Sequence, residues 1–214
     1  EQFYKKFQIN LANLYGLSET GPSHFDNPLL DTWKSGYIGK PLTVNECKIA
    51  TDGEILIKGK NVFVGYYNNK KLYNKVISKG WFKTGDLGIQ ISKKLFKFID
   101  RKKDLIIKGG INIIPADVEE YIYHFKEVKE VAIVGIEDSV NGEEIYCCIT
   151  VKNIKKESNL INKIDNYLKK KLSSFKVPKK IFIIDEMPLT KSGKIKRKDA
   201  KIIVKKKLTD DHDR

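Results

Sequence analysis

The sequence predicts an α/β protein in which a β-rich first part is followed by a small, complete α/β domain. Three observations carry that prediction. Through residue 100 the apolar side chains fall in short runs broken by turn residues, the spacing of strands. Further on, strand-like runs alternate with stretches of helical spacing, as in compact α/β domains. Between the two stands "DRKKD", Asp100 to Asp104, five charged residues with no apolar side chain to anchor them. Domain boundaries fall in such stretches, so the expected domains are residues 1–100 and 101–214.

In chain order, the apolar "INLANL" reads as a strand that gives way to a loop at "YGLSET", Tyr15 to Thr20. "ECKIA" (Glu46 to Ala50) and "EILIKG" (Glu54 to Gly59) are strands, and "LGIQI" with "LFKFI" forms a hairpin around Ser92, Lys93 and Lys94. After the boundary, Pro115 suits a helix start, and Val118, Ile122 and Phe125 line one face of the helix that follows. "VKEVAIVGI" and "EEIYCCITV" are strands, with Asn141 and Gly142 supplying the turn. Ser158 or Asn159 can cap a second helix whose apolar stripe is Leu160, Ile164, Tyr167, Leu168 and Leu172. Pro178 then precedes the strand "KIFIID", and a short helix is expected after Gly193.

Composition narrows the function classes. At 214 residues, 41% hydrophobic and 32% charged, the chain can bury a real core. The formal charge of +14 raises nucleic acid or an anionic membrane as partners. Only Arg101, Arg197 and Arg214 among the 41 cationic residues are arginines, the side chain that recognises phosphate and guanine bidentately. The excess is therefore read as solvated lysine surface, and no specific nucleic-acid partner is expected. The three cysteines, Cys47, Cys147 and Cys148, lack metal-ligand spacing, and neighbours on one strand face opposite ways. A reducing compartment, the cytoplasm, is the simplest setting. The apolar run "VAIVGI" is too short to span a bilayer, although a peripheral membrane contact stays open.

Four stretches could carry chemistry. In "YGLSET", a flat ring, a glycine, a hydroxyl and a carboxylate could meet a ligand and a divalent cation, or form a plain turn. "GWFKTGD", Gly80 to Asp86, reads as a loop ending on an acceptor-only carboxylate suited to a pair of hydroxyls, or as an Asx turn between strands. Gly109 and Gly110 mark a bulge or the passage of a slim ligand close to backbone. "PLTKSGKIKRKDAK", Pro188 to Lys201, is a basic solvated helix, or a loop that holds out one lysine.

In this order, "YGLSET", "GWFKTGD", "IDRKKDLIIKGG" with "PADVEE", and "PLTKSGKIKR" resemble successive signature motifs of the acyl-adenylate-forming superfamily, which includes acyl-CoA synthetases, luciferases and nonribosomal adenylation domains. "NVFVGYYNN", Asn61 to Asn69, resembles the segment such enzymes carry between the first two motifs. The resemblance implies activation of a carboxylic acid with ATP and Mg²⁺ to an acyl adenylate, then transfer to coenzyme A. It also implies that residues 1–100 are the β-rich C-terminal remnant of the large adenylate-forming domain.

By position, the resemblance implies that Tyr15 and Gly16 lie along the adenine, Ser18 meets the nucleotide phosphate and Glu19 holds Mg²⁺. Asp86 takes the ribose hydroxyls and Arg101 contacts the nucleotide. Lys103 is the hinge, Gly110 lines the pantetheine channel, and Lys194 reaches the reacting carboxylate and phosphate. Some positions depart from the pattern. Ser18 replaces a commoner threonine, Asp117 a common glutamate, and Asp100 a common glycine, though "DRKKD" resembles fatty acyl-CoA synthetases. Nothing resembles the family's phosphate loop, and no Walker-type loop replaces it. The expectation is therefore the C-terminal portion of a longer AMP-forming acyl-CoA ligase, for a fatty acid, inactive in adenylation by itself. The alternatives are a ligase loading a carrier protein or an aryl acid, and a noncatalytic binding module.

Overall fold

The structure, a computed structural model, describes residues 2–27, 36–152 and 157–212. They fall into two compact units, residues 1–103 and 104–214.

The first unit opens with helix α1 (Gln2–Phe7) and then strands β1 (Asn13–Leu17), β2 (Gly21–Asp26), β3 (Tyr37–Pro41), β4 (Asn45–Ile49) and β5 (Glu54–Gly59). Helix α2 (Lys70–Val76), capped where the Asn69 side chain accepts from the Leu72 amide at 3.0 Å, leads into β6 (Ile77–Ser78), β7 (Trp81–Ser92) and β8 (Leu95–Arg101). Among the described residues these strands make one sheet in the order β1-β2-β3-β8-β7-β5-β4, with β6 beside β7. Alternation along β5 turns Ile55 and Ile57 to one face, where they meet Ile38 and Phe96 in a small core.

Two expected loops are strands here. "YGLSET" does not leave the strand at Tyr15, because β2 returns antiparallel and pairs Tyr15 through Leu17; the turn is confined to Ser18–Thr20. "GWFKTGD" is likewise no loop, since β7 passes through it, pairing β5 on one side and β8 on the other.

In the second unit β9 (Ile106–Lys108) and β10 (Ile111–Ile113) form a hairpin, followed by α3 (Pro115–Ile122), β11 (Val128–Asp138), β12 (Gly142–Val151), α4 (Glu157–Lys171), β13 (Lys180–Ile183) and α5 (Arg197–His212). Strands β11 and β12 pair antiparallel over almost their full lengths, and β13 joins β12 in parallel. Period-two alternation sorts the core into two layers. Val131, Ile133, Cys147 and Ile149 meet Val118 and Ile122 of α3 and Leu160, Ile164 and Leu168 of α4. Ala132, Val134, Tyr146 and Cys148 face the other way, onto Ala200 and Val204 of α5. The adjacent cysteines thus lie in different cores, and both are free thiols.

Three local expectations change in this unit. Gly109 and Gly110 do not make a bulge. They are the two turn residues between paired Lys108 and Ile111, with φ of +57° and +77°, as a tight primed hairpin requires. Helix α4 already runs from Glu157, placing Ser158 and Asn159 inside its first turn instead of at its cap. The last helix is not short: α5 has 16 residues, because its apolar positions have the second core layer to cover.

Candidate functional site

Tyr15 and Gly16 sit where the β1–β2 register slips. A Cβ on Gly16 would come 2.0 Å from the Gly21 carbonyl oxygen, so only glycine lets the two backbones approach. The Tyr15 ring packs edge-on against buried His24, which packs edge-on against Phe96. The Tyr15 hydroxyl donates to Asp86 Oδ2 at 2.7 Å. The turn after it is closed by the Leu17 amide, which donates to Thr20 Oγ1 at 3.1 Å. The Glu19 carbonyl accepts the Phe63 amide (2.8 Å), and its Oε1 accepts the Tyr66 hydroxyl (2.9 Å). Asn61 donates to the carbonyls of Thr20 (2.6 Å) and Pro22 (3.2 Å). The "NVFVGYYNN" segment therefore braces "YGLSET" from outside.

Asp86 reaches this group through a bulge. On β5, Glu54 pairs with Leu87 and Leu56 with Lys83, so a two-residue step faces a four-residue step and residues 84–86 are pushed out of register. Side chains satisfy the freed backbone groups. Thr84 Oγ1 donates to the Ile55 carbonyl (2.7 Å) and accepts the Asp86 amide (3.1 Å), while the Gly85 amide donates to Glu54 Oε1 at 2.8 Å. Across β7 and β8, Asp86 pairs with Arg101, whose Nε lies 3.5 Å from Asp86 Oδ1. Burial pushes the Asp86 carboxyl above its ordinary value, and the Tyr15 hydroxyl and Arg101 pull it back. Burial, then the adjoining Asp86 charge, pushes the Tyr15 phenol upward, so it stays a donor.

Tyr15, Gly16, Ser18, Glu19 and Arg101 line one open cleft of about 640 Å³, with Thr84 at its wall. Asp86 lies at 3% exposure behind Tyr15. The cleft offers a flat ring, a hydroxyl, a guanidinium and a carboxylate, a set suited to a nucleoside phosphate. No group of three acidic, His or Cys side chains able to hold a metal exists among the described residues. Glu19 alone could supply a carboxylate to Mg²⁺, which is ordinarily held by one or two carboxylates plus the phosphates of the substrate. The fit is thus to a cation that arrives with a nucleotide.

In the second unit Lys194 stands exposed at the end of a closed turn. The Thr190 amide donates to the Lys194 carbonyl (2.7 Å), the Gly193 amide to the Thr190 carbonyl (2.9 Å), and the Lys194 amide to Thr190 Oγ1 (3.0 Å). Gly193 takes φ +79° to allow it. The basic residues after it are not simply solvated, as the sequence suggested. Arg197 makes a two-pronged pair with Glu119, Nη2 to Oε2 at 2.9 Å and Nη1 to Oε1, and Nη1 also donates to the Ile133 carbonyl at 3.2 Å. Lys201 reaches Glu143 at 3.3 Å. Lys103 lies in a short 3₁₀ turn, Lys102–Asp104, and Gly110 is exposed with open space around its Cα. Asp117 pairs with Lys176 at 3.5 Å.

Residues 117–194 match the family model of the AMP-binding enzyme C-terminal domain. A 2-succinylbenzoate–CoA ligase from Listeria innocua is 39% identical over 198 residues, 92% of this chain and 42% of that protein. The chain belongs with the acyl-adenylate-forming enzymes, matching their C-terminal part. A long-chain-fatty-acid–CoA ligase from Bacillus subtilis is 34% identical over 209 residues, 92% of this chain and 37% of that protein. Among solved structures, the O-succinylbenzoate coenzyme A synthetase of Bacillus subtilis in complex with AMP superposes with a TM-score of 0.80 at 30% identity, covering 94% of this chain and 42% of that one. The chain thus spans about two fifths of the length of the relatives it matches. Acyl-adenylate-forming relatives with different acids align over the same region, so fatty acyl-CoA synthetases hold no special place among them. No helix among the described residues is long and apolar enough to cross a membrane.

Sequence reading missed the residues that hold the nominated ones: Glu54, Thr84, Tyr66 and the Glu119–Arg197 pair. Each belongs to an ordinary strand, loop or helix pattern. Thr84, Tyr66, Glu119 and Arg197 did lie inside the motifs noted above; for Thr84 and Glu119 a polar residue on an otherwise buried face was the available signal.

Proposed function

We propose that this chain is the C-terminal part of an AMP-forming acyl-CoA ligase, with a fatty acid as the substrate. The observation that carries the reading is that Tyr15 and Arg101, which line one cleft with Ser18 and Glu19, both engage Asp86 behind it, Tyr15 by a hydrogen bond and Arg101 by an ion pair. In this reading Tyr15 and Gly16 take the adenine, Asp86 the ribose hydroxyls, and Ser18 and Arg101 the phosphate. Mg²⁺ held by Glu19 and the nucleotide would neutralise phosphate charge.

A carboxylate oxygen attacks the α-phosphorus, the bond to the bridging oxygen breaks, and pyrophosphate leaves; the thiol of coenzyme A then attacks the acyl carbon and AMP leaves. Two anions approach in the first step. The Lys194 ammonium, presented by its closed turn, offsets the charge that grows on the phosphoryl oxygens. Lys103 serves as the hinge between the two steps, and Gly110 admits the pantetheine arm in the second.

The test is carboxylate-dependent exchange of labelled pyrophosphate into ATP by the enzyme that carries this chain, followed by thioester release on adding coenzyme A. Release of ADP instead of AMP would refute the reading. A second acid, 2-succinylbenzoate, is favoured by the 39% identity to the Listeria ligase; comparing it with a long-chain fatty acid in the same assay separates the two.

A further inference from the structure

One residue before the proposed hinge, Lys102 does not point idly into solvent. Its Nζ donates to Asp52 Oδ2 at 2.6 Å and to Glu54 Oε2 at 3.1 Å. The other oxygen of Glu54 accepts the Gly85 amide at 2.8 Å, at the apex of the bulge that presents Asp86. Asp86 in turn pairs with Arg101, the residue before Lys102. The contacts close a ring: Lys102, Glu54, Gly85, Asp86, Arg101. Nothing in the turn chemistry or strand pairing of β5 requires a buried acid at its first position, yet the Glu54 side chain is 8% exposed, against 44% for Lys102. An acid there has a cost in desolvation that its two donors, the Gly85 amide and Lys102, offset. Asp52 and Glu54 also raise the Lys102 ammonium above its ordinary value, so the cation stays charged.

We propose that Lys102 and Glu54 are positioning residues that fix the Asp86 carboxylate, so that the chain leading to residue 103 and the nucleotide cleft report on each other. The inference rests on the nucleotide reading only for what Asp86 binds; the mechanical coupling stands on the ring itself. With Lys102 in place, Glu54 holds one orientation and the bulge keeps its shape. If Lys102 is withdrawn, the carboxylate loses two-sided restraint and the Gly85 bond weakens.

Amide exchange on the 214-residue chain, read residue by residue by NMR, tests this with Lys102→Met, Glu54→Gln, Lys102→Arg as rescue and Lys93→Met as control. Loss of one hydrogen bond's restraint corresponds to roughly threefold to tenfold faster exchange. That acceleration is expected at Gly85 and Asp86 in Lys102→Met, although Lys102 contacts neither amide. Lys102→Arg should stay within about twofold of wild type, and Lys93→Met should match it. A purely structural role would speed exchange at Ile57 and Phe96 by the same factor. Uniform acceleration, or no change at Gly85 and Asp86, overturns the proposal. Titration with AMP supplies the second arm. Weaker AMP binding in Lys102→Met extends the coupling to the ligand. Local acceleration in a chain that binds no AMP supports the clasp while removing support for the nucleotide reading.

Discussion

Replacing Arg197 with methionine should destabilise residues 104–214 far more than loss of any surface lysine. Arg197 is 21% exposed and Glu119 10%. Their pair ties α5 to α3, and Glu119 Oε1 also accepts the Ile133 amide at 2.8 Å, so both helices are fastened to the middle of β11. Removing one member of a buried pair typically costs 3–5 kcal/mol because the other charge is stranded. Glu119 keeps the Ile133 amide, which favours the lower end, about 3 kcal/mol. For a unit of this size that corresponds to a fall in Tm on the order of 12 °C. Thermal unfolding followed by methyl NMR of Ile133 and Ile149 measures it. Fluorescence serves as an internal control, since both tryptophans, Trp33 and Trp81, precede residue 103. The double substitution of Glu119 and Arg197 to methionine should recover only part of the loss, because no charge is left stranded but the buried Ile133 amide loses its acceptor. If Arg197→Met costs under about 1 kcal/mol, as an exposed pair such as Lys169–Asp165 would, the buried-pair argument is wrong.

In the enzyme that carries this chain, Lys194→Ala should slow acyl-adenylate formation about a hundredfold or more, yet leave thioester formation from preformed acyl adenylate largely intact; equal loss in both half-reactions would contradict the role given to Lys194. Buried His24, whose Nε2 has no hydrogen-bond partner among the described residues, has its pKa lowered by burial to about 4. A depressed value means its contribution is present above about pH 6.5 and lost as pH falls toward 4, roughly 3 kcal/mol in all, with Asp26, raised by burial, acting in the opposite sense. Urea unfolding read at Trp81 should show this between pH 7 and 4.5, and His24→Phe, packing between Tyr15 and Phe96, should flatten the profile; an unchanged slope sinks the assignment. Burial pushes the thiols of Cys47 and Cys148 up to about 12 and Cys147 well above its ordinary value. An aromatic disulfide reagent at pH 8 should thus release no fast thiol until the chain is unfolded, and one rapid equivalent would show an open thiol.

Much of the second unit was legible in the sequence. The stripe Leu160, Ile164, Leu168 and the alternation through "VAIVGI" and "EEIYCCITV" name the faces that the core covers. These are local periodicities, and packing had no reason to overrule them. The first unit was harder to read. "YGLSET" and "GWFKTGD" look like loops because glycine, serine and threonine cluster there, whereas glycine serves a close approach at Gly16 and a bulge at Gly85 inside paired strands. The stretch after Lys194 misled in the other direction. Charge density suggested solvent, but Arg197 had a buried glutamate waiting 78 residues earlier.

By itself, the sequence determined the α/β class, the order of motifs and the residue types available for nucleotide chemistry, because periodicity and side-chain chemistry are properties of neighbours along the chain. Tertiary structure alone decided which of those residues meet. Tyr15 and Asp86 are 71 positions apart, yet they share one hydrogen bond. Lys102 finds Glu54 and Asp52 across about fifty positions. Such partnerships depend on a two-residue slip in register between β5 and β7 and on which strand lies beside which. A slip of that kind leaves no periodic trace in sequence, since it arises only when two strands are laid side by side and their backbone groups must be satisfied together.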